Sequence, residues 1–219
     1  MTREDIRGQI EKIGIIPAIR VSSYEDALFA AEAVSSGGIP IVEITMTVPG
    51  ALEVISSLAR SRPELIVGAG TVLDIDTASR CLDAGAKFLT STGLDLQTVE
   101  FAVKEKIVII PGALTPTEVM AAWKAGVDFV KVFPCAQLGG PSYIKALKSP
   151  FPHIPLIASG GVNEQNLADF ILSGATAVGM GAHLIPQKAI VLRQARRIHQ
   201  LAVRCLHTVQ ETRKQRVRI

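Results

Sequence analysis

Short apolar, β-branched runs alternate with amphipathic helical patterns along the whole chain, and this alternation constrains the fold more than any other feature. The strand-like runs are Ile15–Ile19, Ile39–Ile44, Leu65–Val67, Phe88–Thr90, Ile107–Ile110, Val127–Phe133, Pro155–Ala158 and Thr176–Val178. Helical patterns lie between them at Tyr24–Ser36, Ala51–Arg60, Ile75–Ala84, Leu96–Val103, Pro116–Lys124 and Glu164–Leu172, with a last one from Gln187 to near Val209. Eight strands in 219 residues give one βα unit per roughly 27 residues, which leaves little room for insertions. The segments SSGGIPIVEI, DAGAKFLTS, KAGVDFVKV and LSGATAVGM repeat one design, a small-residue and glycine corner that stops a helix and feeds a strand. Eight such units predict an α/β chain folded as a (β/α)8 TIM barrel. A short N-terminal helix (MTREDIRGQIEKIG) would precede it, and a basic C-terminal helix and tail would follow. Residues 1–209 are expected to form the barrel domain and 210–219 the tail. An open doubly wound sheet is the alternative, but its dinucleotide fingerprint is missing: Gly68-Ala-Gly-Thr-Val-Leu-Asp74 lacks the third glycine.

Charge is unevenly spread. Residues 193–219 carry eight basic side chains against Glu211 alone, a net +7, while residues 1–192 carry 15 basic and 19 acidic groups, a net −4. The basic end reads as a helix with a solvated tail, and nucleic acid is not expected as a partner. No apolar run reaches the ~18 residues of a membrane span. Cys81, Cys135 and Cys205 show no CxxC spacing, and the four histidines show no ligand spacing. No metal or cofactor is therefore expected, and the cytoplasm is the expected compartment.

In a barrel the chemistry lies at the C-terminal ends of the strands, and these ends are polar here. Lys131 sits in Val127-Asp-Phe-Val-Lys-Val-Phe-Pro134 and shares strand parity with Val127 and Phe129. A lysine emerging above packed apolar side chains suits Schiff-base chemistry, because desolvation favours the free amine; a structural ion pair is the alternative. Glu43 shares parity with Ile39, Ile41 and Thr45, so its carboxylate faces the same interior, either to shuttle protons or to pair with Lys131 or Arg20. Arg20 ends the first strand as an anion clamp or as an orienter of Glu43. Thr71 either offers its hydroxyl and a loop N–H to a carboxylate or caps the next helix. Ser159-Gly160-Gly161-Val-Asn163 and Gly179-Met-Gly181-Ala182 follow the last two strands, where a barrel commonly holds phosphate. Met120 and Trp123 are expected to face the core. Cys135 has no histidine base beside it.

These stretches resemble the class I aldolases that act on 2-keto-3-deoxy-6-phosphogluconate and 4-hydroxy-2-oxoglutarate, and also the related phosphogalactonate branch. The matching motifs are Glu43-Ile-Thr45, Gly68-Ala-Gly-Thr-Val72, Pro111-Gly-Ala-Leu-Thr-Pro116, Val130-Lys-Val-Phe-Pro134, Gly139-Gly-Pro-Ser-Tyr-Ile-Lys-Ala-Leu147 and Ser159-Gly-Gly-Val-Asn163. The resemblance implies a trimeric barrel with Lys131 as the Schiff-base lysine and Glu43 as the acid–base. It places Thr45, Thr71, Thr92, Phe133, Ser159, Gly160, Gly161, Gly181 and Ala182 around a small keto acid, phosphorylated or not, and Arg20 beside them. A phosphate-binding isomerase or epimerase, or a non-catalytic anion-binding barrel, is the competing function. Three departures from the family pattern concern substrate rather than chemistry. Thr47 stands where the phosphogluconate-type members have an arginine, Ala182 where a phosphate-loop serine is expected, and Thr92 in place of a frequent proline.

Overall fold

A computed structural model describes the backbone of residues 1–216 and the side chains of 1–215. Nine short parallel strands form one sheet: β1 (Ile15–Ile19), β2 (Ile41–Thr45), β3 (Ile66–Gly70), β4 (Phe88–Thr90), β5 (Val108–Ile110), β6 (Gly112–Ala113), β7 (Val130–Val132), β8 (Leu156–Ser159) and β9 (Ala177–Met180). Their order is β5-β4-β3-β2-β1-β9-β8-β7-β6. Only Pro111 separates β5 from β6, and the two act as one staved strand. The Ser91 N–H donates to Ile110 O on one side and the Lys131 N–H to Pro111 O on the other. The ring closes there, so the chain is an eight-stranded parallel barrel and the open doubly wound sheet is excluded.

The sequence placed each strand to within about three residues. The largest narrowing is that of Val127–Phe133 to β7, where Asp128, ahead of the strand, is drawn out into an ion pair. Its Oδ2 accepts from Arg3 Nε at 2.8 Å. Helices flank the strands: α2 (Tyr24–Ser36), α3 (Ala51–Ser61), α4 (Ile75–Asp83), α5 (Leu96–Lys104), α6 (Pro116–Lys124), α7 (Pro141–Lys148), α8 (Leu167–Leu172), α9 (Gln187–Val191) and α10 (Ala195–Arg216), with α1 (Arg3–Ile13) leading the chain. Their starts follow local chemistry. Ser23, Asp74, Asp95 and Thr115 each accept the backbone N–H three residues on, and Thr115 with Glu118 completes a capping box. Backbone N–H donation from Thr115 and Leu114 holds the Glu118 carboxyl below its usual range. α8 begins at Leu167 rather than Glu164, because the Asn163 side chain accepts from the N–H groups of Gln165 and Asn166 and winds a turn ahead of the helix. The last helical pattern is two helices. Arg193 takes φ +49° and breaks α9 from α10, while its guanidinium pairs with Asp26 at 2.9 Å. Met120 is exposed rather than in the core, and Trp123 is half-buried with its ring edge-on to His153.

The two ends of the barrel differ, and this difference positions the site. At the N-terminal end α1 buries Ile6, Ile10 and Ile13, and Arg3 ties it to Asp128 and to Gly126 O. From α10, Arg213 donates to Lys12 O at 2.7 Å and to Thr176 O at 2.6 Å. The expected boundary at 209 therefore falls inside a continuous helix. Val209 and Thr212 are buried, and residues 217–219 lie outside the described residues. That end is sealed, and the C-terminal mouth is the open one. No helix among the described residues is long and apolar enough to cross a membrane.

Candidate active site

Two charged side chains are buried inside the barrel and face each other. Lys131 from β7 and Glu43 from β2 are 7% and 4% exposed, with Lys131 Nζ 3.9 Å from Glu43 Oε1. The pairing lies on opposite sides of the ring, because β2 and β7 are not neighbours in the sheet. Parity puts both side chains inward. Below Lys131, Phe129 is fully buried, so the amine stands on an apolar floor. Charges so placed persist only when paired. At 3.9 Å the two are an ion pair without a hydrogen bond, an arrangement that keeps both groups available to a third molecule.

Small residues across the interior make the space. The partner of Thr45 on β3 is Gly70, and a Cβ there would lie 2.0 Å from Glu43 Oε1. The carboxylate thus occupies room that only glycine leaves. Gly68, one layer lower, does the same for the Phe88 ring. Lys131 Nζ also reaches Thr90 Oγ1 at 3.5 Å, a long contact, and lies 5.8 Å from the centre of the Phe133 ring. Thr90 was not among the residues expected at the site. Its signal was available in the sequence: it ends β4 on the same parity as Phe88 and is polar where the strand is otherwise apolar.

The other expected residues lie at or just after the C-terminal ends of the strands. Ser159 ends β8 and is buried; a Cβ on the neighbouring Gly179 would come within 2.7 Å of its Oγ. Gly160 and Gly161 follow with φ +88° and +81°. Their carbonyls are taken by Ala136 N–H and by Asn166 Nδ2, in a turn whose successive N–H groups can face an anion. Gly161 must be glycine on space as well as φ, since a Cβ would sit 2.4 Å from that of Ala136. Arg20, Gly181 and Ala182 line a small cavity of about 140 Å³ with Ala18, Ile185 and Gln187. Arg20 also donates from Nη2 to Thr71 Oγ1 at 3.3 Å. Thr71 has φ +60° and does not cap α4; Asp74 does that. The capping reading left open for Thr71 is thus removed. Thr92 sits on the loop after β4, its carbonyl against Gly112. His183 is exposed at the rim.

Thr45 is placed differently from the others. It is 1% exposed, and its hydroxyl donates to Ile19 O at 3.0 Å. Thr47 is exposed, its hydroxyl oxygen 2.8 Å from that of Thr45. The cysteines take no part. Burial pushes the Cys135 thiol up to about 12 and those of Cys81 and Cys205 up to about 11, so all three stay protonated and unreactive at neutral pH.

A sealed parallel barrel with a buried amine facing a carboxylate at its open mouth defines a class I, Schiff-base-forming lyase. Comparison with known proteins narrows the class. The family described as "Aldolase: KDPG and KHG aldolase" matches residues 6–201, and the chain belongs to that family. It is 37% identical over 180 residues to the 2-dehydro-3-deoxy-phosphogluconate aldolase of Pseudomonas aeruginosa, covering 82% of this chain and 81% of the relative. The KHG/KDPG aldolase of Escherichia coli K12 is 33% identical over 189 residues, 86% of this chain and 88% of that one. Among solved structures, the KDPG aldolase of Legionella pneumophila, with pyruvate captured as a covalent carbinolamine, superposes with a TM-score of 0.84 at 31% identity. That match covers 90% of this chain and 96% of the other.

Proposed function

We propose that Lys131 is the Schiff-base lysine and Glu43 the proton carrier of an aldolase that cleaves a 2-keto-3-deoxy-6-phospho sugar acid, or 4-hydroxy-2-oxoglutarate, to pyruvate and an aldehyde. The observation that carries this is the convergence of the two side chains at 3.9 Å from non-adjacent strands. The Lys131 amine adds to the C2 carbonyl, and loss of water from the carbinolamine gives an iminium. Glu43 takes the proton of the C4 hydroxyl as the C3–C4 bond breaks. The bonding pair flows into the iminium to make an enamine, and the aldehyde leaves. The protonated Glu43 returns its proton to C3, and water hydrolyses the new iminium to pyruvate and free lysine. In this reading Thr71 and Ser159 hold the C1 carboxylate, and the Gly160-Gly161 turn with Gly181 and Ala182 holds a phosphate. The aldehyde is glyceraldehyde 3-phosphate or glyoxylate accordingly.

The protein acts in the cytoplasm as a homotrimer in this reading. Family resemblance supports the trimer, as do exposed Leu73, Ile75 and Leu96 at the starts of neighbouring α4 and α5, which offer apolar surface to another copy.

Incubation with pyruvate and borohydride tests the chemistry. Reduced pyruvyl mass should appear on the Lys131 peptide and vanish in Lys131→Ala, together with pyruvate release from both keto acids. An isomerase or an inert binding barrel gives no adduct, and an adduct confined to another lysine would overturn the assignment.

A further inference from the structure

We propose that Thr90 is a further catalytic residue, whose hydroxyl accepts the N–H of the Lys131 Schiff base and keeps that nitrogen charged. The proposal rests on the aldolase reading and gives a role to a side chain that touches the reacting nitrogen.

Hydrogen-bond accounting around that nitrogen carries it. Among the described residues Lys131 Nζ makes one hydrogen bond, to Thr90 Oγ1 at 3.5 Å, and one ion pair, with Glu43 Oε1 at 3.9 Å. The direction of the first is set by chemistry: a protonated amine or an iminium has no lone pair and can only donate, so the threonine oxygen accepts. That oxygen is held in place. Thr90 ends β4 in register with Ile110 of β5, and its carbonyl accepts from the Val72 N–H at 3.1 Å, which fixes the backbone on both sides. Branching at Cβ then limits where the hydroxyl can point. Thr90 is 1% exposed, in a strand whose other residues are Phe88 and Leu89. A hydroxyl in so apolar a place calls for a partner, and the lysine nitrogen is that partner.

The reaction needs such an acceptor. Loss of water from the carbinolamine leaves one hydrogen and a positive charge on the nitrogen. If that proton were lost as well, the neutral imine would be a far weaker sink for the C3–C4 electron pair. Glu43 cannot hold the N–H throughout, because it takes the C4 hydroxyl proton as the bond breaks and is then uncharged. Thr90 can accept at every stage. A buried charged N–H left without an acceptor is strongly disfavoured, and a catalytic contact that is long in the free enzyme tightens in the reacting complex.

The test uses Thr90→Val, nearly isosteric but without lone pairs, and Thr90→Ser, which keeps the acceptor. Cyanoborohydride reduces a charged iminium but spares the ketone, the carbinolamine and the neutral imine, so its trapping rate at saturating pyruvate reports the protonated Schiff base. In Thr90→Val that rate and kcat for cleavage should fall together about 10- to 100-fold, the scale of one hydrogen bond to a charged group. Inhibition by lactate, which has no carbonyl to condense with the lysine, should stay within twofold of wild type. Thr90→Ser should keep both rates within about threefold. Thr90→Ala removes the same oxygen with less bulk and should behave as Thr90→Val. The proposal is overturned if Thr90→Val and Thr90→Ala trap and turn over within twofold of wild type. It is equally overturned if lactate inhibition weakens in step with kcat, or if Thr90→Ser is as slow as Thr90→Val, since either marks a merely structural role. Failure of the wild type to form a pyruvyl adduct on Lys131 would instead overturn the underlying aldolase reading.

Discussion

Gly70→Ala isolates the position of one carboxylate from the rest of the enzyme. The new methyl would lie 2.0 Å from Glu43 Oε1 and 2.5 Å from Cδ, where ordinary contact begins at 3.4 Å. The carboxylate must therefore retreat by roughly 1.4 Å, since the methyl is fixed to a strand paired on both sides. A displacement of about 1 Å of a catalytic group costs on the order of 100-fold in rate, equivalent to about 2.7 kcal/mol of barrier. Overpacking of this kind costs about 1–3 kcal/mol of stability, which a typical domain tolerates. Gly70 does not have positive φ, so the backbone itself accepts alanine. Pyruvate release followed by coupled oxidation of NADH should show kcat reduced about 100-fold or more. The borohydride-trapped pyruvyl adduct on Lys131 should persist, because the amine is untouched. A folded variant with kcat within threefold of wild type would refute the claim that Glu43 is the proton carrier and that Gly70 makes its room.

Three further outcomes are expected. Gly8 lies inside α1, and a methyl group added there would meet nothing within 4 Å, so Gly8→Ala should stabilise by about 0.5–1 kcal/mol and raise the midpoint of thermal unfolding by about 1–4 °C, with kcat unchanged. Sedimentation equilibrium should give three times the chain mass. Ile75→Lys, which charges the exposed apolar surface at the start of α4, should shift that mass towards the monomer. A trimer indifferent to the charge would place its interface elsewhere.

The barrel was legible because its signal is local. Strands fully buried in a parallel sheet must be continuously apolar, and helices must be amphipathic. Both patterns therefore appear in the linear chain, as at Ile15–Ile19 and Tyr24–Ser36, whose limits the structure reproduces. Less legible were the ends of elements set by side-chain hydrogen bonds or by partners far along the chain. The asparagine turn ahead of α8 and the Arg3–Asp128 pair that shortens β7 are such cases. Helix α7, eight residues long after a 3-10 turn, was visible only as a motif.

The same division runs through the site. Lys131 and Glu43 stood out in the sequence because a charge inside an apolar strand has few explanations, and period-2 parity already pointed both inward. Their separation, the space that Gly70 leaves for the carboxylate, and the contact with Thr90 exist only once the ring has closed. Thr45 and Thr47 show the limit most clearly: in sequence they are two threonines two residues apart, one matching a motif and the other departing from it. Their 2.8 Å contact, and the bond from Thr45 to Ile19 O, a backbone atom of the neighbouring strand, exist only in the folded chain. The chain alone determined the architecture and singled out the two charged side chains inside it, since burial writes hydrophobicity into every strand. Tertiary structure decided which polar groups meet and at what distance, since contacts are a property of pairs that the sequence keeps far apart.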